Sequence, residues 1–250
     1  PGGRLMAQWQ PTPTIKASIA IHGAAAAALA VAPHYWPLAL TAFAANQAVL
    51  IAAGLWPRSS LLGPNLTRLP AAAGARREIA LTIDDGPDPE VTPRVLDLLD
   101  AANAKASFFC IGKDVEHHAA LAREMVARGH AIENHSQHHL KLFAALGPWQ
   151  MRREISDAQE SIAATVGRAP RFFRPTAGLR NPLLEPILAS LDLQLVSWTR
   201  RPFDTRCGDP AEVARRLTRG LAAGDILLMH DGNAARTHDG KPVILAALPR

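Results

Sequence analysis

Apolar and polar positions divide the chain into two stretches with different rhythms. Residues 17–57 contain no Asp, Glu, Lys or Arg. Two apolar runs fill this stretch, 15–32 and 37–56, each close to the ~20 residues a membrane-spanning helix needs. Between them Pro33-His34-Tyr35-Trp36-Pro37 reads as a turn with interfacial aromatics, and Trp9 and Trp56 mark the other ends. The pattern predicts a hairpin of two transmembrane helices. Residues 58–77, rich in Pro, Gly and Leu, read as a juxtamembrane linker.

From Glu78 onward apolar runs alternate with helical spacings. Strands are expected at 78–83, 106–111, 131–135, 172–175, 193–199 and 224–230. Helices are expected at 92–102, 115–128, 148–166, 182–191, 211–221 and from 242. Gly129 and Gly167 follow two of these helices, and Asp209-Pro210 opens another. Six strand-plus-helix units in series predict a parallel α/β fold, barrel or doubly wound. In such folds reactive side chains sit where strands end. Asp84 and Asp85, His135, Arg174 and His230 fall at those ends, and Asp204 follows the fifth strand.

Composition sharpens the division. The chain has 250 residues, 27 Lys and Arg, 22 Asp and Glu, and a net charge of +5. The first acidic residue is Glu78, preceded by Arg4, Lys16, Arg58, Arg68, Arg76 and Arg77. The basic excess therefore belongs to the flanks of the hairpin, not to a nucleic-acid surface, and no nucleic-acid partner is expected. Positive residues on both flanks and none in the intervening loop predict that the ends, and the domain after them, face the cytoplasm. Two cysteines, Cys110 and Cys207, exclude a disulfide scaffold and a four-cysteine zinc site. No phosphate-binding glycine loop and no Gly-x-Ser-x-Gly elbow occur.

The candidate chemistry is that of a metal-assisted hydrolase. Adjacent carboxylates at Asp84-Asp85 repel; a cation relieves this, leaving one as ligand and the other as base. His135 and His139, four apart, would share one face of a helical turn. With ten histidines in the chain such a pair arises easily by chance, but with a carboxylate from a neighbouring strand it makes a two-imidazole, one-carboxylate site suited to Zn²⁺. Arg174, closing an apolar strand, needs a partner if buried, and Asp84 is the natural one. Asp204 could hold one nitrogen of His230 and raise its pKa, making it a proton donor. His138 is expected on the surface, and Asp88, Asp225 and Asp231 in turns.

In order, Thr82-Ile83-Asp84-Asp85-Gly86-Pro87, His135-Ser136-Gln137-His138-His139, Arg174-Pro175-Thr176-Ala177-Gly178, Asp204 and Leu227-Leu228-Met229-His230 resemble the five motifs of the polysaccharide deacetylase (NodB-homology) family. The resemblance implies a distorted (β/α) barrel of about seven strands over 78–250, and metal-dependent removal of N-acetyl or related acyl groups from a sugar or polysaccharide. It implies that Asp84 is the base, that Asp85, His135 and His139 hold the metal, and that Arg174 holds the base. His230 would be the general acid, oriented by Asp204, with an oxyanion contact from the backbone N–H near Ala177. Similar family members deformylate a lipid-linked aminosugar, which makes a lipid-linked glycan at the cytoplasmic face an alternative substrate. A non-catalytic carbohydrate-binding module is the alternative of another class. Two motifs depart from the pattern. Thr176 and Ala177 replace a Pro and an aromatic residue, and Arg201-Pro202-Phe203-Asp204-Thr205 keeps only the second Asp of Asp-x-x-Asp-Trp, so the pocket is expected to be atypical. The chain stops in an expected helix, so the family's last strand is not expected within these residues.

Overall fold

The computed structural model describes residues 9–250; Arg4, used in the orientation argument, lies outside them. Helix α1 spans Pro13–Val31 and α2 Trp36–Leu55. Thr12 caps α1, its side chain accepting from the Ile15 N–H, and Pro13 sits where no intrahelical N–H is needed. The expected aromatic turn is there, as a short 3₁₀ segment at Pro33–Tyr35. Both helices are long and apolar enough to cross a membrane by length and composition. Polar side chains bind them to each other. Asn46 donates to Ser18 at 2.9 Å. His22 donates from Nδ1 to the Ser18 carbonyl and accepts at Nε2 from Gln47.

A short helix, α3 (Ala71–Ala75), leads into β1 (Ala80–Asp84). There follow α4 (Thr92–Ala101), β2 (Ser107–Cys110), α5 (Gly112–His117), α6 (Ala119–Ala127) and β3 (Ala131–Asn134). The chain continues through α7 (Pro148–Val166), β4 (Phe172–Phe173), α8 (Leu184–Ser190) and β5 (Gln194–Leu195). It ends with α9 (Pro210–Thr218), β6 (Ile226–His230) and α10 (Val243–Ala247). All strand pairs are parallel, in the order β5-β4-β3-β2-β1-β6. The edges meet through a bridge between Arg200 and Leu227, so the curled sheet closes on itself as a distorted barrel. Strand β6 is buried along its whole length, as a strand covered on both faces must be. Its apolar residues pack between the helices and the barrel interior.

Three local expectations differ from the structure. The helix expected at 115–128 is broken at His118, whose backbone (φ −115°, ψ 43°) leaves the helical region. The strand expected at 193–199 is regular only at Gln194–Leu195. Beyond it Leu66 pairs with Val196, taking the hydrogen bonds a longer β5 would have offered. The segment read as a linker therefore packs on the barrel. The carbonyl of Pro57 accepts from Ser197 Oγ and from Asn65 Nδ2, and Leu69 N–H donates to the Gly224 carbonyl.

Candidate active site and family membership

Strand register brings the reactive side chains together. Asp84 pairs with His230 across β1 and β6, and with Phe109 across β1 and β2. The chain then turns through Asp85, which has a left-handed φ of 75°. Space for this turn depends on two glycines: a Cβ on Gly86 would lie 2.6 Å from the Asp231 carboxylate, and one on Gly232 2.2 Å from the Asp85 carbonyl.

The two adjacent aspartates face different partners. Asp84 Oδ1 accepts from Arg174 Nη1 at 2.5 Å. Arg174 is fully buried and also donates to Thr82 Oγ1 and to the carbonyls of Val196 and Ser197, with its guanidinium 4.0 Å from the Phe109 ring centroid. Burial lowers its pKa and Asp84 opposes this. Asp85 Oδ1 instead lies 3.2 Å from His135 Nε2 and 3.1 Å from His139 Nε2. Burial alone would raise the Asp85 pKa, but the two imidazoles hold it well below the usual carboxylate range.

The Asp85, His135 and His139 donor atoms lie within 4.8 Å of one another, a set that fits a divalent cation. His135 Nδ1 is 2.6 Å from the Arg174 carbonyl, which can only accept, so this nitrogen carries the proton and Nε2 is free to ligate. The histidines are not on a helix, as their spacing suggested. Left-handed residues at Ser136 (φ 67°) and His139 (φ 52°) fold a loop that Ser136 Oγ supports by accepting from the His139 N–H. The loop achieves the convergence a helical face would have given.

On the other side of β1, Asp204 is fully buried and accepts from both the backbone N–H of His230 (2.7 Å) and its Nδ1 (2.8 Å). Burial lowers the imidazole pKa, but Asp204 outweighs it and carries the pKa to about 9. Thr176 and Ala177, the latter with φ 56°, complete a cavity of about 160 Å³ lined by Asp84, Asp85, His135, His139 and His230. The cavity shares Asp85, His139 and Thr205 with an open groove of about 770 Å³. His138 points away to Glu154, as expected.

Asp231 opens the turn that follows β6, as expected, but is buried there, 1% exposed and hydrogen-bonded to Thr92 Oγ1 at 2.5 Å and to the Gly232 N–H. Burial pushes its carboxyl up to about 7. Asp225 closes the turn before β6, its N–H donating to the Ala222 carbonyl, and is likewise buried, between Arg68 and Arg200. The available signal was position: both carboxylates flank an unbroken apolar strand. Asp88 does sit in a turn, accepting from the N–H groups of Glu90 and Val91.

The polysaccharide deacetylase family model matches residues 71–196, half of the chain. The chain belongs to this family. That places it among hydrolases acting on the acyl groups of acetylated sugars. Over 161 residues it is 34% identical to a Bacillus cereus peptidoglycan-N-acetylglucosamine deacetylase, an alignment covering 64% of this chain and 75% of the relative. It is 32% identical over 155 residues to a chitooligosaccharide deacetylase of Azorhizobium caulinodans, covering 62% and 73%. Among solved structures, a Bacillus anthracis family 4 carbohydrate esterase pseudoenzyme, as a mutant with restored enzymatic activity, superposes with a TM-score of 0.66 at 25% identity. That match covers 74% of this chain and 64% of the other. The family match stops before His230, which lines the cavity, and Asp204, buried behind it; their placement comes from the fold.

Proposed function

We propose that the chain is a metal-dependent deacetylase of an N-acylated sugar or polysaccharide, anchored to a membrane by α1 and α2. The observation behind the reading is the convergence of a cation-fitting triad, a separately paired carboxylate and a protonatable imidazole on one small cavity. A similar fold is also used by a pseudoenzyme, so this constellation, more than the fold, supports catalysis.

A divalent cation, best Zn²⁺ for two imidazoles and a carboxylate, would be held by Asp85, His135 and His139 and would supply Lewis acidity to the acyl carbonyl and acidify a water, toward pKa ~7 in comparable sites. Asp84, held in place by Arg174, accepts the proton of the attacking water. The water oxygen bonds to the acyl carbon, and the carbon–nitrogen bond breaks as His230 gives its Nε2 proton to the leaving amine. Asp204 keeps that imidazole charged and oriented. The backbone N–H near Ala177, which lines the cavity, would meet the oxyanion. Acetate and a free amino sugar result.

The substrate divides into two readings. The open groove beside the cavity suits a glycan chain. A lipid-linked sugar is favoured by a second feature, an apolar cavity of about 410 Å³ between the end of α2 and the rim of the barrel. Lys141 borders both this cavity and the groove. An amphipathic substrate could thus lie with its lipid against α2 and its sugar at the triad, on the cytoplasmic face that the hairpin charges imply. The test is acetate release by the full chain in detergent. N-acetylated chitooligosaccharide, peptidoglycan fragments and a lipid-linked N-acetyl sugar are compared before and after chelation. Release that stops on chelation and returns with Zn²⁺ is expected. No release from any of them by metal-loaded protein overturns the reading. A reporter fused after Arg77 that behaves as non-cytoplasmic removes the cytoplasmic placement.

A further inference from the structure

One cation at the cavity has no task in this mechanism. Arg201 lines the wall beside Trp198, Thr205 and His230. Its guanidinium carbon lies 5.2 Å from the Trp198 ring centroid and 5.1 Å from that of Phe203. Two aromatic groups thus hold its position while offering it no oxygen. Among the described residues its guanidinium makes no hydrogen bond or ion pair, and its Nε is buried without a partner. A buried donor left unmade is costly unless something arrives to accept from it.

The nearby acids are already engaged. Asp84 is paired with Arg174, Asp204 with His230, and Asp85 with the two imidazoles. Arg174 shows what a guanidinium serving the scaffold looks like here: fully buried, with every nitrogen donating to a protein oxygen. Arg201 is the opposite case, half-buried, stacked and unspent. A cation bound by the triad would make the cavity more positive still, so Arg201 is not needed to balance the aspartates. A planar fork of N–H groups stacked on aromatic faces is suited to binding a carboxylate or phosphate through two hydrogen bonds.

We propose that Arg201 binds an anionic oxygen group, carboxylate or phosphate, carried by the acylated sugar, and so selects acidic sugar derivatives over neutral ones. The inference rests on the reading of the cavity as the sugar site, but its test reads binding and not turnover.

Binding of N-acetylglucosamine, N-acetylmuramic acid and N-acetylglucosamine 1-phosphate to the Zn²⁺-loaded full chain is measured by calorimetry. Parallel titrations use Arg201→Gln and Arg201→Lys, matched for metal content and circular dichroism. The parent should prefer an anionic sugar over the neutral one by about 10- to 100-fold, the range of a charge-assisted hydrogen-bonded pair. Arg201→Gln should bring that ratio close to one. Arg201→Lys, which keeps the charge and loses the fork, should retain part of it, and it carries the test alone if the Gln variant does not fold. Preference for the muramic acid points to a carboxylate-bearing cell-wall sugar, and preference for the phosphate to a phosphate-linked one. A parent without preference, a ratio unchanged in both variants, or equal weakening of neutral and anionic sugars overturns the proposal. If the preference holds and no sugar is deacetylated, the catalytic reading falls and this one stands. If neutral sugars are deacetylated without any preference, the reverse is true.

Discussion

The hairpin and the barrel invert each other. In the barrel, charged groups are inside: Asp84, Arg174, Asp204 and Asp231 are each at most 3% exposed, and each is hydrogen-bonded. In the hairpin, apolar groups are outside: Val31 is 86% exposed, Leu38 67% and Leu55 60%, while Ser18 and Asn46 are buried between the helices. Burying polar groups is tolerable only with partners, and the barrel supplies them. Exposing apolar surface on this scale is unfavourable in water, and the hairpin offers only small anchor points, at Ile15, Leu50, Ala53 and Leu62, as cover. Lipid around the proposed anchor would cover the exposed apolar surface of the hairpin, whereas the barrel covers its own buried polar groups.

The contrast breaks most sharply at the paired aspartates. Asp84→Asn should keep bound metal and lose turnover by ~10²–10⁴-fold, the span of a general base. Asp85→Asn, His135→Ala and His139→Ala should lose both metal and activity. Metal content by atomic emission, read beside acetate release, separates the two classes. Metal loss in Asp84→Asn equal to that in Asp85→Asn would make Asp84 a ligand and leave the base unassigned.

The hairpin half is tested by charge. Phe43→Arg with Val49→Arg puts two guanidinium groups on exposed positions of α2. Each should cost about 2.5–3.5 kcal/mol of insertion at a helix centre. Flotation with lipid vesicles should show the parent with the membrane and the variant depleted from it, while bound metal persists. A variant that floats like the parent would mean that these positions do not meet lipid.

Much of this contrast is legible in the chain itself, because both halves write their environment into local pattern. A run of forty-one residues without Asp, Glu, Lys or Arg, and apolar strands of which four end in polar side chains, need no long-range information. Pairing across the sheet is different. That Asp84 meets Arg174 and Asp204 meets His230 was readable as a demand for partners. That Asp85, and not Asp84, turns to the histidines follows from the left-handed turn at Asp85; the residues alone left that choice open, and only the family resemblance made it. Asp231 is legible as a turn residue after an apolar strand, but its burial follows from Gly86 and Thr92, far away in sequence. Arg201 was visible only as a departure from a motif; its lack of partners exists only in three dimensions. The helical geometry expected for His135 and His139 failed for the same reason: i, i+4 spacing allows a helix, and a loop with two left-handed residues satisfies it equally.

The buried acid–imidazole pair gives a smaller, pH-dependent effect. His230, with a pKa of about 9, stays protonated as donor through neutral pH, so the alkaline limb of the rate profile should lie near that value. Asp204→Asn removes the largest influence that raises this pKa and leaves burial opposed only by the charges of Asp84 and Asp85, so the alkaline limb should move down. The stability contribution has the same sign. Protonated His230 favours the fold fully below its unfolded pKa near 6.5, and the contribution fades as pH rises toward and through 9. Asp204→Asn should therefore lower Tm most near pH 6 and least near pH 10. An alkaline limb that does not move would remove Asp204 from the control of His230.

The smallest effect is expected where the two regions touch. At the end of α2, the Gly54 carbonyl accepts from the Arg180 N–H at 3.1 Å, and a Cβ on Gly54 would lie 2.1 Å from the Arg180 carbonyl oxygen. The Arg180 side chain donates to the Ser59 carbonyl just beyond, so one residue of the barrel rim clamps both the helix end and the segment after it. Neither contact reaches the triad. Gly54→Val must push the helix off the rim, at a cost of about 1–3 kcal/mol typical of overpacking. Metal content, and turnover of a short water-soluble substrate, should stay near those of the parent. Proteolysis after Arg58 should become faster as the segment lifts. Turnover of a lipid-linked substrate should drop several-fold, because the apolar cavity between α2 and the rim opens. Equal loss on both substrates would mean that the junction supports the barrel itself. Loss on neither, with faster proteolysis, would make the hairpin an anchor alone and remove the junction from substrate binding.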